Sequence, residues 1–167
     1  MMRALSLSIC ALLVIAPLSA SAETATGMTA MQYYAGTWNC MGGPAGTPPM
    51  PATLVAAYET GNGVMRQTLD VPATATFPGV KSTTLVSWEA KNNMFVSVAL
   101  DDRGGWNVSR APAFTGNKEL WADVATDDGK IGRSEIDRVD QNDYIYTAYA
   151  TPTITAPRLR ATCKRAT

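Results

Sequence analysis

Polar and apolar side chains alternate with a period of two along most of the chain from residue 36 onward. Such alternation is typical of β-strands, because successive side chains of a strand point to opposite faces. Runs rich in glycine, asparagine and aspartate, which favour tight turns, interrupt it: ETGNG, DDRGG, FTGNK, TDDGK and DQND. The pattern predicts ten strands, near residues 36–42, 52–59, 64–71, 81–89, 94–101, 105–111, 118–126, 131–139, 143–150 and 157–165.

The order of these elements predicts an all-β fold. The strands follow one another at hairpin spacing, so we expect an antiparallel, up-and-down closed barrel of eight to ten strands. The longer connection VPATATFPGVK contains too much proline for an interior strand. The segment TGMTAMQYYA, residues 26 to 35, predicts a short N-terminal helical turn. A β-sandwich that brings the termini together is the alternative architecture.

The alternation also divides the side chains of each strand between two faces. In MFVSVAL, one face carries Met94, Val96, Val98 and Leu100. Because apolar side chains generally line the interior, we expect this face to point into the barrel.

The first 22 residues predict a signal peptide that is removed on export. Arg3 precedes the apolar run LSLSICALLVIA, and the small-residue sequence Ala20-Ser21-Ala22 supplies a cleavage site. The apolar run is shorter than the roughly 20 residues that a bilayer requires, which disfavours an uncleaved anchor. We therefore expect a single domain, residues 23–167, in the periplasm or outside the cell.

Two cysteines remain after this cleavage, Cys40 in the first predicted strand and Cys163 in the last. In an oxidising compartment an even pair predicts a disulfide. In a closed barrel the first and last strands are neighbours, so the disulfide would cross-link the seam. Trp38, on the same face as Cys40, would plug the adjacent end. Two separate buried thiols are the alternative.

Composition argues against several functional classes. The chain contains no histidine, which removes His-based catalytic triads and imidazole ligation of haem or metals. Without Arg3, the remaining 13 basic side chains nearly balance 14 acidic ones, so a nucleic-acid partner is not expected. No later segment is apolar and long enough to span a bilayer. We predict no enzymatic activity, no cofactor and no metal site.

Aromatic side chains are the best indication of a binding site. Tryptophan and tyrosine give a ligand cavity a broad apolar wall with polar groups attached. The alternative is that the rings only fill the barrel or cover its outside. The candidate ligand-binding residues are Tyr58, Trp88, Phe95, Trp106, Trp121, Tyr144 and Tyr146.

The segment Tyr34-Ala35-Gly36-Thr37-Trp38 resembles the G-x-W motif of the lipocalins and the wider calycin superfamily. In lipocalins this tryptophan plugs the closed end of the barrel and packs against an arginine of the last strand. The resemblance implies structural roles for Gly36 and Trp38, and Arg165 is the best match for the arginine, with Arg160 and Arg158 as alternatives. The chain is also similar to small exported bacterial proteins that open with GTWxC and close with CxR.

These observations together predict a non-enzymatic barrel that holds a small apolar or amphipathic ligand. The alternative is a calycin-like protein inhibitor or interaction module, of the metalloprotease-inhibitor type, whose barrel is filled with side chains. In that case residues 23 to 33 would form an arm that enters the partner's cleft.

Overall fold

The computed structural model describes residues 27–167 of the chain. The predicted signal peptide, residues 1–22, lies outside the described residues, as do residues 23–26. Within the described part, no helix is both long and apolar enough to cross a membrane.

Ten antiparallel strands form a closed barrel. Each strand pairs with its neighbours in the chain, and β1 pairs with β10 to complete the ring. The all-β, up-and-down architecture is therefore confirmed, and the sandwich alternative is wrong. The strands are β1 (Gly36–Pro44), β2 (Met50–Tyr58), β3 (Val64–Val71), β4 (Val80–Glu89), β5 (Met94–Asp101), β6 (Trp106–Pro112), β7 (Lys118–Thr126), β8 (Arg133–Arg138), β9 (Asp143–Tyr149) and β10 (Leu159–Arg165).

The strand boundaries lie within two residues of the predicted ones, because turn residues fix them. Asn93 ends the β4–β5 turn with a φ of 53°, and Gly104 in the β5–β6 turn has a φ of 87°. Glycine and asparagine adopt such left-handed conformations at lower cost than other residues. A further short 3-10 turn, Thr60–Asn62, joins β2 to β3.

The seam between β1 and β10 carries the disulfide. Cys40 and Cys163 are direct register partners, with Cα atoms 4.0 Å apart, and their sulfur atoms are bonded. Two register positions along, Trp38 pairs with Arg165. The predicted cross-link between the first and last strands is therefore present, and the alternative of two separate thiols is wrong.

The prediction for the inward face of β5 is wrong. Val98 is 38% exposed and Leu100 is 53% exposed, so the face that they share with Met94 and Val96 points outward. The interior face instead carries Phe95 near one end of the barrel, followed by Ser97, Ala99 and Asp101. Small and polar side chains therefore line the interior where the prediction placed the apolar face of β5.

A 3-10 helix, Gly27–Tyr34, closes one end of the barrel, and we call it the cap helix. Two of its own residues, Met31 and Tyr34, are buried against the barrel. The Tyr33 hydroxyl lies 2.9 Å from the carbonyls of both Asp140 and Asp143 and shares its one proton between them. The described part of the predicted N-terminal arm is thus packed on its own barrel.

Candidate functional site

Trp38 forms the centre of the closed end. Its side chain is 0% exposed, and its Nε1 donates to the Tyr34 carbonyl at 2.9 Å. The Arg165 guanidinium lies over the indole ring, 4.3 Å from its centroid. The same guanidinium donates to the carbonyls of Ala35 and Tyr33, at 2.7 and 2.6 Å. These contacts tie the last strand to the first strand and to the cap helix.

Three of the candidate ligand-binding aromatics pack into the closed end. Trp88 and Phe95 make an edge-on contact, with ring centroids 4.7 Å apart. Phe95 stacks on Phe114 with centroids 4.3 Å apart. The Tyr58 hydroxyl donates to the carbonyl of Met28 in the cap helix. None of these rings lines the cavities described below, so the structure places Tyr58, Trp88 and Phe95 in support of the cap.

A buried carboxylate, Glu119, lies below the cap helix and is 1% exposed. Its oxygens accept hydrogen bonds from the Tyr34 hydroxyl at 2.5 Å, from Arg138 Nε at 2.9 Å and from Trp121 Nε1 at 3.4 Å. Burial raises the pKa of Glu119 above its ordinary value, although Arg138 opposes the shift. Burial and the neighbouring Glu119 raise the pKa of Tyr34 strongly, so its hydroxyl remains a donor. Sequence reasoning missed Glu119, although its alternation with Trp121 in KELWADV places both on one face.

Beyond the closed end, the barrel encloses an apolar chamber of about 480 Å³. Its walls come mainly from β1 to β4 and from β9 and β10. They include the disulfide, Leu54, Leu69 and Ala161. Tyr144 and Tyr146, two of the candidate ligand-binding residues, also line this chamber.

The opposite side of the barrel is polar. A chamber of about 440 Å³ opens there between β5 to β9 and the loops of the open end. Asp123 accepts hydrogen bonds from Ser109 Oγ at 2.6 Å and from Asn107 Nδ2 at 3.1 Å. Trp106 stands at this opening and is 41% exposed.

A third, smaller space of about 170 Å³ lies deeper, towards Glu119 and Trp121. Tyr146 and Ala99 line all three spaces, so the three meet at these two residues. Burial raises the pKa of Tyr146, which keeps its hydroxyl neutral. The interior thus has an apolar side and a polar side that adjoin at these residues.

The long loop between β3 and β4 borders the open end. Phe77 in this loop lines the apolar chamber, and the Arg103 guanidinium lies 5.0 Å from the centroid of its ring. Arg103 also donates a hydrogen bond to the Gly79 carbonyl. The contact between Phe77 and Arg103 thus joins the β3–β4 loop to the β5–β6 turn beside the apolar chamber.

Comparison with known proteins identifies a structural neighbour of low sequence identity. The crystal structure of Rv2717c from M. tuberculosis matches with a TM-score of 0.62 and 15% identity, over 84% of this chain and 97% of that chain. A redesigned β-barrel matches with a TM-score of 0.43 and 7% identity, over 81% and 93% of the two chains. No protein-family model and no curated protein sequence matches. The likeness to Rv2717c establishes a shared barrel fold and no more.

Proposed function

We propose that this protein is a non-enzymatic, lipocalin-like barrel of the periplasm or the extracellular space that binds a small amphipathic ligand in its interior. The observation that carries the proposal is the unfilled barrel interior, where an apolar chamber of about 480 Å³ and a polar chamber of about 440 Å³ share Tyr146 as a lining residue. Ligand sites commonly span about 300–1,000 Å³ and combine apolar walls with a few polar groups.

The interior residues support binding rather than catalysis. Glu119 is engaged by Arg138 and Tyr34 and faces the cap instead of the opening. Asp123 is held by the side chains of Asn107 and Ser109. Carboxylates that are already paired in this way serve the fold, and the sequence supplies no histidine to act as a base.

Further features support the proposed lipocalin-like class, the location outside the cytoplasm and the role as a ligand carrier. The contact between Trp38 and Arg165 matches the packing that the lipocalin resemblance implies. The predicted signal peptide and the disulfide favour an oxidising location outside the cytoplasm. The unfilled interior and the packed cap helix favour a ligand carrier over a filled inhibitor with a free N-terminal arm.

Binding of the neutral dye Nile red, followed by its fluorescence, tests this proposal. Ala99→Trp should fill the junction of the three spaces and weaken dye binding at least tenfold. Val98→Trp is the matched control, because Val98 is the adjacent residue on the outer face and is 38% exposed. Thermal melting of each variant checks that it folds. Absence of dye binding to the wild type, or equal loss in both folded variants, would contradict a ligand-binding interior.

A further inference from the structure

The arrangement of the cavity walls also specifies the class of ligand. We propose that the ligand is an uncharged amphiphile with hydroxyl or carbonyl groups along one side, rather than a chain with a single charged head. This inference rests on the proposed binding function and gives it a chemical class.

The polar wall extends across neighbouring strands. In the β-sheet register, Gln67 pairs with Thr84, Thr84 with Ala99, and Ala99 with Asn107. The next inward row contains the paired residues Ser97 and Ser109. All of these side chains line the deeper space. Hydroxyl and amide groups therefore form a polar strip on β3 to β6, in which Ser97 of the second row supplies the hydroxyl of β5 beside Ala99.

Ser134 and Tyr146 extend this strip to β8 and β9. Tyr146 faces all three spaces and keeps a neutral hydroxyl, so it can donate to an oxygen of the ligand. The polar groups thus surround the deeper space, on strands β3 to β6 and on β8 and β9.

The apolar wall includes the β1–β10 seam. It consists of the Cys40–Cys163 disulfide with Leu54, Leu69, Leu159 and Ala161, on β1 to β3 and β10. A ligand with hydrocarbon on one face and oxygen atoms on the other would satisfy both walls at once. Ser109 and Asn107 already bond Asp123. A simple alkyl chain would, however, leave the hydroxyls of Thr84 and Ser97 facing hydrocarbon, which costs about 1–3 kcal/mol for each buried unpaired group.

The charges of the cavity exclude an ionic head group from its inner part. No lysine, arginine, aspartate or glutamate is among the described residues that line the apolar chamber. In the deeper space the charged residue is Glu119, which Arg138 already pairs. A buried ligand carboxylate or ammonium would have no free partner there, and an isolated buried charge is costly.

The opening also offers few unpaired basic side chains to a ligand carboxylate. Lys130 is paired with Asp128 at 2.8 Å, and Arg133 is paired with Glu135. Arg158 is exposed at the rim and could meet the head group of a fatty acid that enters tail first. Palmitate is therefore the appropriate competing probe.

Displacement of Nile red by three probes tests the inference: methyl cholate, methyl lithocholate and palmitate. The two methyl esters are uncharged steroids of the same skeleton, but methyl cholate carries three hydroxyl groups on one face and methyl lithocholate carries one. We expect methyl cholate to bind at least tenfold more tightly than either of the others.

Thr84→Val and Thr83→Val form the matched pair of variants. Thr84 lines the cavity, whereas Thr83 is its neighbour on the opposite face of β4. Loss of one neutral hydrogen bond should weaken methyl cholate binding by roughly three- to tenfold in Thr84→Val. Nile red and methyl lithocholate should bind this variant as they bind wild type, and Thr83→Val should not change any of the affinities.

The outcomes separate this inference from the function on which it rests. If Nile red binds inside the barrel but palmitate matches methyl cholate, or if Thr84→Val leaves methyl cholate unaffected, the ligand class is wrong and the binding function stands. If Nile red does not bind at all, the binding function fails, and the ligand class fails with it.

Discussion

Arg165 lies over the indole ring of Trp38, with 4.3 Å between its guanidinium carbon and the ring centroid. It also donates to the carbonyls of Ala35 and Tyr33. One side chain at the end of β10 thereby joins the last strand, the first strand and the cap helix. Charge-assisted hydrogen bonds and a cation–π contact act together at this point.

We expect Arg165→Met to destabilise the protein by about 2–4 kcal/mol, because it removes two hydrogen bonds from a charged donor and a cation–π contact. Urea denaturation measures the change in the free energy of unfolding. Lys164→Met is the control, since Lys164 is the adjacent residue with a 73% exposed side chain. A loss as large in the control as in Arg165→Met would show that the contact with Trp38 is not the cause.

The Cys40–Cys163 disulfide should contribute strongly to stability. It joins residues 123 positions apart, and the chain-entropy model gives at most about 5 kcal/mol for a loop of that length. We expect the variant Cys40→Ser/Cys163→Ser to melt at a clearly lower temperature than the oxidised wild type. Reductant should lower the melting temperature of the wild type and leave that of the variant unchanged. Identical melting of all samples would contradict a stabilising role for the seam cross-link.

Gly42 of β1 lies tightly against the backbone of β10. A Cβ atom at this position would overlap the backbone of Arg160 and Ala161, which cannot move aside as a flexible side chain can. Overpacking of this kind typically costs about 1–3 kcal/mol, and we expect a loss of this size for Gly42→Ala. Gly63→Ala is the control, because Gly63 has a φ of −82° and open space around it. Equal unfolding free energies for the two variants in urea would rule out the steric explanation.

The buried Glu119 predicts a pH dependence of stability. Burial raises its folded-state pKa above the ordinary value of 4.5, so the folded protein holds this proton more tightly than the unfolded chain. The stability from this group is therefore complete below about pH 4.5 and is lost as the pH rises through the raised pKa.

Urea denaturation of the wild type and of Glu119→Gln from pH 4 to pH 8 measures this effect. The unfolding free energy of the wild type minus that of the variant should decrease as the pH rises, because glutamine does not titrate. Tyr34 and Arg138, the partners of Glu119, keep their ordinary protonation states in this range. A difference that is constant or increases with pH would refute the prediction.

Much of the fold could be predicted from the sequence, because local signals determine it. Turn residues mark most strand boundaries, and the two cysteines identify the strands that meet. The face of β5 was predicted wrongly for a physical reason. Alternation divides side chains between two faces, but hydrophobicity identifies the inner face only when the interior is filled. Here Ser97 and Ala99 line a cavity, while Val98 and Leu100 cover the outside.

The candidate site was harder to predict because depth along the barrel is not encoded in alternation. Tyr58 and Tyr146 are both tyrosines on inward faces, yet one supports the cap helix and the other lines the cavity. Serine and threonine line the polar strip, and these residues are equally common on exposed strands. Only the three-dimensional register brings them together.

The covalent closure of the ring also bears on how the protein behaves in a crowded compartment. A sheet with open margins offers unpaired backbone groups to any extended chain nearby, and barrels remove such margins. Here β1 and β10 use their outer hydrogen-bonding groups on each other. The exposed apolar side chains of Val98 and Leu100 therefore lie on the outer face of a closed sheet. Such a sheet has no free strand edge to which the strands of a fibril could add.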